Sequence, residues 1–529
     1  VMERTRRLSD ETRELLSYAT AEGEEFTSYV LGQLTSKKPL ELLRELRKAE
    51  SAGFVQSKKG MRQFANQTTS VFGFSHALFH KALYDSLLSE ERVILHRQCY
   101  EILKTEWDRL SATQERTMPL ASKLLTHAEK CGEIEIAAEI ALETAKAAWI
   151  GFSKDETLTM LDATQRLLDS SDAGLPPASR TSMMGDIFLL RSKIMSISGR
   201  LPDALNMVSE AMKIFERTPN DKRYMETVVE MSRTLSKLGR IPEAEEFARK
   251  ALATAETAGD DEGIAQGYSE IANVLNLLSR YDEALEYNER ALDLLKRTNN
   301  QYRIAATLNN IGLGYSALGD AEKAMHYYKE SLKISEPLGN RYLIGWSLGR
   351  IGREYHNIDE NDKALEYIER GIKLQESIGN VSDVSYLLNT LGGVYESRGD
   401  LVKALECYKR HHDVGEYTGN PQHQAEGLNN MSQIYRAMND LAHARECAAQ
   451  AREIAKNVDS VYLEGYAIAQ LGLIDEAEAE LATGEERAAK LRGALAYMQE
   501  AADIYHKIKH HQAKFFDEEL LRIRGKIGT

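Results

Sequence analysis

The sequence is poor in cysteine and proline and has no long apolar segment. Its 529 residues include nine prolines and only four cysteines, at Cys99, Cys131, Cys407 and Cys447. No two cysteines form a CxxC pair, and four thiols do not make a disulfide framework in a chain of this length. We therefore expect reduced packing residues and a cytoplasmic protein. The longest apolar runs, such as residues 136–142, are far shorter than the roughly 18 residues of a membrane span, so no membrane partner is expected.

The sequence also lacks an excess of positive charge and the common catalytic motifs. Its 67 basic and 81 acidic residues give a net charge of −14, which argues against nucleic acid as the general partner. No GxxxxGK[ST], GxSxG or HExxH motif occurs. His76 and His80 have the i,i+4 spacing of two zinc ligands, but no third ligand is indicated. The adjacent histidines at 411–412 and 510–511 are expected at the surface. We predict no enzymatic activity, no metal and no cofactor.

What the sequence does contain is a motif that returns at one fixed spacing without insertion. It runs from "GRLPDAL" at Gly199 to "NDLAHAR" at Asn439. Its alanine occupies the same position seven times, at Ala204, Ala244, Ala284, Ala324, Ala364, Ala404 and Ala444. Self-similarity at such a period is typical of a solenoid.

Each repeat predicts a helix, a tight turn and a second helix. In residues 309–332 an apolar helical face is interrupted at Gly319 and resumes at Ala324. The small residue Gly312 stands where the two helices must approach closely. The pattern resembles the tetratricopeptide repeat, and it is carried by Gly312, Tyr315, Ala324, Tyr328, Ser331 and Pro337. The predicted fold class is all-α: a tetratricopeptide superhelical solenoid of 40-residue hairpins, preceded by a small winged-helix domain with a β-hairpin.

This resemblance implies a concave groove lined by the first helix of each repeat. Asn side chains in such a row can clamp the backbone of an extended peptide, and Arg can select a carboxylate. An Asn on an exposed helix is also often merely solvated. The predicted ligand-groove residues are Asn273, Asn276, Asn309, Arg353, His356, Asn389, Asn429, Gln433 and Arg436.

The winged-helix prediction rests on residues 1–76. Three helical segments end at Gly53, and residues 54–60 and 68–76 alternate as the two strands of a hairpin around a polar tip. Lys58, Lys59 and Arg62 lie in this proposed wing, where they could contact DNA phosphates or simply form a solvated turn.

Residues 4–104 resemble the region that follows the ATPase core in STAND proteins, the signal-transduction ATPases with numerous domains. The resemblance is carried above all by Phe74, His76, Ala77, Leu78, Tyr84, Leu87, Arg92, Leu95 and His96. In that family the winged helix acts as an internal lever. Because the sequence has no P-loop and no Met at position 1, we expect an ATPase core upstream of Val1. The alternative is a natural protein that has lost its core.

The predicted domains are a winged-helix-like domain and helical arm (1–110), a connector (111–184), the solenoid (185–475) and closing helices (476–529). We expect a sensor that binds a peptide, a protein or a small ligand in the groove and transmits occupancy to an upstream ATPase or effector. A constitutive scaffold and a DNA-binding regulator are the alternatives.

Overall fold

The computed structural model describes residues 8–64, 67–110, 118–151, 153–170, 175–218, 222–458, 460–508 and 513–527. The chain forms two compact units, residues 1–187 (unit 1) and residues 188–529 (unit 2). The histidines at 510–511 lie outside the described residues.

Unit 1 begins with three helices and a small antiparallel sheet. The helices are α1 (Asp10–Glu22), α2 (Ser28–Thr35) and α3 (Pro39–Ser51), and the strands are β1 (Glu25–Thr27), β2 (Val55–Phe64) and β3 (Gln67–Phe74), in the order β1-β3-β2. Val55 pairs with Phe74, and Phe64 pairs with Gln67. The predicted β-hairpin is therefore confirmed, although it belongs to a sheet of only three strands. Buried apolar side chains join helices to sheet, among them Leu16, Phe26, Leu46 and Phe72.

The three cations considered for DNA contact belong to strand β2 and do not lie at the tip of the hairpin. The ammonium of Lys58 lies 3.3 Å from the carboxylate of Glu25 on β1, on the far side of β3. The side chains of Lys59 and Arg62 are outside the described part of the structure. The rest of unit 1 is helical, with α4 (Ala77–Ser86), α5 (Ser89–Leu110), α6 (Met118–Lys130), α7 (Ile134–Ile150) and α8 (Lys154–Asp169).

Unit 2 is a helical solenoid, as predicted. Its first helices are α9 (Pro177–Ile197), α11 (Lys222–Lys237), α13 (Asp261–Leu277), α15 (Gln301–Ala317), α17 (Arg341–Asn357), α19 (Val381–Ser397), α21 (Pro421–Ala437) and α23 (Val461–Leu481). The second helices are α10 (Leu201–Phe215), α12 (Ile241–Ala258), α14 (Tyr281–Thr298), α16 (Ala321–Ser335), α18 (Asn361–Ser377), α20 (Leu401–Thr418), α22 (Leu441–Asn457) and α24 (Gly484–Lys507), followed by α25 (Ala513–Ile527). No helix in the described ranges combines the length and apolar character that crossing a membrane requires.

The turn within each hairpin needs one residue of left-handed backbone. That residue recurs once in every repeat, with φ between 58° and 81°, at Gly199, Gly239, Ser279, Gly319, Asp359, Gly399 and Asn439. Glycine adopts this conformation without steric cost, and Asn and Asp tolerate it better than other residues. The fixed position of this turn explains why the repeat length never changes.

Side-chain caps start the helices at the same repeat positions. Asn300, Asn340, Asn380 and Asn420 each accept a hydrogen bond from a backbone N–H in the first turn of the helix that follows. Asp320, Asp400 and Asp440 do the same for second helices. Each cap satisfies a backbone donor that the helix itself leaves free, so these residues mark the helix boundaries in the sequence.

The two helices of a hairpin cross at small residues. All seven repeat alanines are fully buried. A methyl group added at Gly312 would lie 2.6 Å from a ring carbon of the buried Tyr328, and one at Gly392 would lie 2.5 Å from Tyr408. The close approach predicted for Gly312 is confirmed. The cysteines are also buried and unpaired, as expected for packing residues.

The solenoid of unit 2 coils so tightly that its first and sixth hairpins are in contact. A methyl group at Gly199, in the turn between α9 and α10, would overlap the side-chain methyl of Thr418 at the end of α20. These residues belong to the first and sixth hairpins. Unit 2 therefore encloses an interior between hairpins that are distant in sequence.

The expectation of surface histidines is wrong for His411. Its side chain is buried, and its Nδ1 lies 2.8 Å from the Ser385 hydroxyl. The rings of His411 and His423 are 5.1 Å apart. Burial, followed by the charge of His411, lowers the pKa of His423 to about 4. Adjacent histidines point to different sides of a helix, and here one side is the core.

The Gly199 contact predicts an unequal cost for two matched substitutions. Gly199 and Gly239 have the same φ of 76°, but only Gly199 has a neighbour in the way of a side chain. Gly239→Ala should cost about 1–2 kcal/mol of left-handed strain, and Gly199→Ala should cost a further 1–3 kcal/mol or so from overpacking. Urea unfolding followed by circular dichroism measures both. Adding Thr418→Ser to Gly199→Ala should recover part of the loss; equal costs at the two glycines would contradict the closing contact.

The half-buried His423 predicts acid sensitivity of unit 2. An unfolded His423 titrates near 6.5 and the folded one near 4, so the unfolded state binds more protons between these values. The stabilisation is complete above about pH 6.5 and is lost as the pH falls toward 4, by at most about 3 kcal/mol. His423→Gln should flatten the pH dependence of the unfolding free energy in this window. His326→Gln, which changes an exposed histidine of α16, should leave the slope unchanged.

Candidate functional site on the first helices of unit 2

The first helices face a shared interior. Lys237 on α11 and Arg233 one turn before it are open to solvent, yet the surrounding protein lowers the pKa of Lys237. The same enclosure raises the pKa of the Asp383 carboxyl on α19, and the charge of Lys237 partly opposes that rise. Tyr342 on α17 is close enough to both Asp383 and Arg233 for their charges to affect its pKa. Side chains of α11, α17 and α19 therefore point toward one another across this interior.

Hydrogen bonds and ion pairs connect most of the first helices to the next one along this face. Lys193 on α9 pairs with Glu226 on α11 at 3.0 Å, and Ser316 on α15 donates to Glu354 on α17. Asn430 on α21 donates to Asn389 on α19 at 2.7 Å. We call this series the polar ladder; its remaining members are Arg233–Glu270, Arg350 and Arg353 with Tyr386, Gln433–Glu396 and Tyr466–Gln433.

Two arginines of α17 converge on one phenol in the middle of the polar ladder. Nη1 of Arg350 and Nη1 of Arg353 donate to the Tyr386 hydroxyl at 3.0 Å and 2.6 Å. The guanidinium of Arg350 also lies over the Tyr386 ring, 4.3 Å from its centroid. Burial acts to raise the pKa of Tyr386, but the two cations and the hydrogen bond from Arg353 outweigh it, so this pKa lies below its usual value. A carboxylate is a better acceptor for two guanidinium groups than a phenol is.

At its amino-terminal end the polar ladder is acidic and tightly paired. Glu270 is buried, and Nε of Arg233 donates to it at 2.8 Å. Glu230 is buried nearby; burial raises its pKa, and the charge of Arg233 opposes the rise. Arg303 on α15 has a lowered pKa because of burial and because of the neighbouring charge of Arg233. The acids and cations of α11, α13 and α15 therefore form one interacting group.

The structure corrects two of the predicted groove residues. Asn309 is buried, and its amide donates to the hydroxyls of Ser331 and Ser347 at 2.8 Å and 2.9 Å. Asn429 is buried in the same way, and its amide donates to the Leu463 carbonyl. Both side chains join a first helix to the adjoining hairpin, so neither offers its amide to a ligand.

Three other predicted residues take part in the polar ladder, namely Arg353, Asn389 and Gln433. Asn273 is half-buried. His356 is held by Asn361, with its Nδ1 2.9 Å from the amide oxygen.

Three of the predicted residues have hydrogen-bonding atoms without a partner among the described residues. These enclosed atoms are both side-chain polar atoms of Asn276, the amide oxygen of Asn429 and Nε of Arg436.

Three interior-facing residues were not predicted from the sequence, and each lies about one helical turn before a predicted groove residue. Arg350, Tyr386 and Glu270 face the interior, and each precedes a selected groove residue by three positions. The alternation of charged and aromatic residues at these positions was the available signal. Which side of a first helix faces the interior depends on how the hairpins pack on one another, and the sequence of a single repeat does not reveal this packing.

One group of potential metal ligands occurs among the described residues. His412, Asp413 and Glu416 have ligand atoms within 4.8 Å of one another, and both acids are exposed. Exposed acidic groups of this kind are common without an ion, so we assign no metal site.

Comparison with known proteins identifies the repeats. The family described as tetratricopeptide repeat matches residues 263–337, 303–377 and 383–457, and a second model of the same description matches residues 229–259. Unit 2 therefore contains tetratricopeptide repeats. The search of curated proteins found no match to the sequence.

Among solved structures, the chain is similar to a STAND protein with a tetratricopeptide repeat sensor from Pyrococcus horikoshii. The identity is 18% and the TM-score 0.51, over 84% of this chain and 63% of that one. The chain thus spans less than two thirds of that protein's length, and the likeness concerns the fold.

Two further solved structures have TM-scores of 0.48 and 15% identity. One is a Rap protein complexed with competence and sporulation factor, with 74% of this chain and 98% of that chain covered. The other is the Rap conjugation gene regulator of plasmid pLS20 in complex with the Phr* peptide, with 63% and 94% covered. At TM-scores below 0.5, we draw no argument from these likenesses.

The pair Arg233–Glu270 predicts a clear stability effect. Arg233→Met leaves the buried Glu270 carboxylate without its partner, so the unfolding free energy should fall by about 2–4 kcal/mol. This loss is smaller than that expected for a fully buried pair, because the Arg233 side chain reaches solvent. Arg280→Met, which breaks the exposed Arg280–Glu283 pair, should have little effect on the unfolding free energy, because solvent screens exposed pairs. Denaturant unfolding compares the two variants. Equal small effects would show that Glu270 does not depend on Arg233.

Proposed function

We propose that this chain is a regulatory sensor that binds a peptide or protein segment along the polar ladder of unit 2. The observation that carries the proposal is the convergence of Arg350 and Arg353 on Tyr386. Two cations satisfied by a neutral hydroxyl form a site that an incoming carboxylate would complete. The proposed ligand is therefore a peptide or protein segment with an acidic side chain or a free carboxyl terminus. A small molecule with a carboxylate group is the alternative ligand for the same site.

The amide groups of the polar ladder suit the backbone of such a ligand. Asn389 and Gln433 offer donors and acceptors that are already oriented by Asn430 and Glu396. Asn276 and Arg436 also have polar atoms without partners among the described residues, but protein encloses these atoms in the unbound chain. Preordered amides cost less side-chain entropy on binding than flexible ones. Asn273 and His356 complete the proposed lining.

The proposal extends to signalling through the first segment of unit 1. Its three helices and β-hairpin fit a winged helix that acts as a lever on a STAND ATPase core or another effector. The fold likeness to the STAND protein supports this part. A ligand can transmit a signal only to the extent that it binds one curvature of the solenoid better than another.

Two alternatives make different predictions. A constitutive scaffold would bind the same ligands without a change in the solenoid. A DNA-binding regulator would use the cations of the β-hairpin, but Lys58 is already paired with Glu25, which weakens that alternative. Scattering measurements with and without bound peptide separate the sensor from the scaffold, and the salt dependence of a gel shift tests DNA binding.

A random-peptide display selection on the whole chain tests the binding site. We expect selected peptides to be enriched in acidic residues or to require a free carboxyl terminus. Arg353→Ala combined with Gln433→Ala should weaken their binding at least tenfold, because both remove donors of the polar ladder. The matched control is Arg370→Ala with Gln450→Ala, which changes exposed residues of second helices and should leave binding unchanged.

Three results would contradict the proposal. These are the absence of any selected peptide, equal loss of binding in the ladder and control variants, and selection of basic peptides. Circular dichroism of each variant confirms that the helical content is retained.

A further inference from the structure

Unit 1 contains a cavity of about 240 Å³, which shares no residue with the polar ladder and has no role in the proposed function. The end of α1, the helix α4 and one face of α6 line it. This volume is slightly below the roughly 300 Å³ at which ligand sites of proteins usually begin. The cavity therefore suits a small molecule and not a peptide.

A chain of three hydrogen-bonded side chains ends at this cavity. The Tyr84 hydroxyl lies 2.9 Å from Nε2 of His96, and Nδ1 of His96 lies 2.9 Å from Nδ1 of His127. Both histidines are buried, with 2% and 1% of their surfaces exposed. His127 borders the cavity, and its Nε2 has no hydrogen-bond partner among the described residues.

The relay of Tyr84, His96 and His127 fixes what His127 presents to the cavity. Both imidazoles are neutral, because burial lowers the pKa of His96 to about 4 and that of His127 to about 3. If Tyr84 donates to His96, then His96 donates to His127, and Nε2 of His127 carries a proton toward the cavity. If the direction reverses, Nε2 is a bare acceptor. One small ligand would thus select one of two orientations of the whole relay.

The charges around the cavity favour an anion. Lys123 is neutralised by the buried Glu22 at 2.7 Å, and Glu22 also accepts from the Thr27 backbone N–H. Lys130 has no carboxylate within ion-pair distance in the described ranges, and its ammonium lies 5.2 Å from the Tyr84 ring centroid. His127 and Lys130 are three residues apart on α6, so they share one face of that helix. The cavity therefore has one uncompensated positive charge beside a free imidazole nitrogen.

The other titratable group that lines the cavity already has a partner. Nε2 of His80 lies 3.1 Å from the Thr20 carbonyl oxygen, and its ring stacks on Tyr84. These contacts hold the Tyr84 ring in place between α1 and α6.

We propose that this cavity binds a small organic monocarboxylate, which accepts hydrogen bonds from Nε2–H of His127 and from the Lys130 ammonium. A single negative charge matches the single uncompensated cation. Binding requires the relay orientation in which Tyr84 donates to His96, so the ligand fixes the contact between α4 and α5.

Calorimetric titration of the whole chain with acetate, lactate, benzoate and inorganic phosphate tests the proposal. At least one carboxylate should bind, and Lys130→Met should weaken it at least tenfold. Lys104→Met, which removes a lysine paired with Asp108 on α5, is the matched control and should bind normally. In NMR spectra of the chain labelled with ¹⁵N-histidine, addition of the ligand should give a signal of protonated Nε2 for His127.

A second variant guards against a loss of folding. Thr126→Trp changes an exposed residue at the cavity edge and should abolish binding while the His96 and His127 signals keep their relay. The proposal is overturned if none of the carboxylates binds, if Lys130→Met binds as well as the unchanged chain, or if phosphate binds and the carboxylates do not.

Discussion

The close crossing of the two helices in every hairpin is the constraint on which unit 2 depends. At this crossing a fully buried alanine lies opposite a small residue, and in the hairpin of Gly312 the helices approach until the Tyr328 ring fills the remaining space. A side chain larger than alanine would force the helices apart, and the error would be repeated along the array. Because the crossing and the turn recur at the same place in every repeat, each hairpin adds the same rotation to the coil.

The regular rotation brings distant hairpins together. Thr418 meets the turn at Gly199, and Lys237 and Asp383 act on each other across the interior. Polar and charged side chains that would be scattered over an open helix surface are thus enclosed by protein. The reduced hydration strengthens their interactions, so the polar ladder is densely bonded. Its two central arginines, Arg350 and Arg353, differ from the other cations in that they donate to a phenol and not to a carboxylate.

The interior of unit 1 contains buried polar side chains. Glu22, His96 and His127 all lie in its interior, and each has a specific partner. Such groups are costly to bury without hydrogen bonds, which gives the Nε2 of His127 at the edge of the cavity its interest as a ligand contact. The two proposed sites thus differ in chemistry, an extended polar face in unit 2 and a small cavity in unit 1.

The sequence alone determined the repeat, the hairpin and the packing role of the alanines, because these depend on contacts within a single repeat. The β-hairpin of unit 1 was likewise readable from alternation around a polar tip. The groove face was only partly predictable. Asn309 and Asn429 were assigned to it and are buried, whereas Arg350 and Tyr386 were not assigned and face the interior.

The reason is geometric. Residues three or four apart share a helix face, so a shift of one position turns a side chain by about 100°. Which face looks inward depends on how each hairpin packs on the next, and that packing joins residues far apart in the chain. The same holds for the contact of Gly199 with Thr418 and for the meeting of Tyr84, His96 and His127. Local spacing fixes the helices, but only the tertiary structure decides which of their side chains meet.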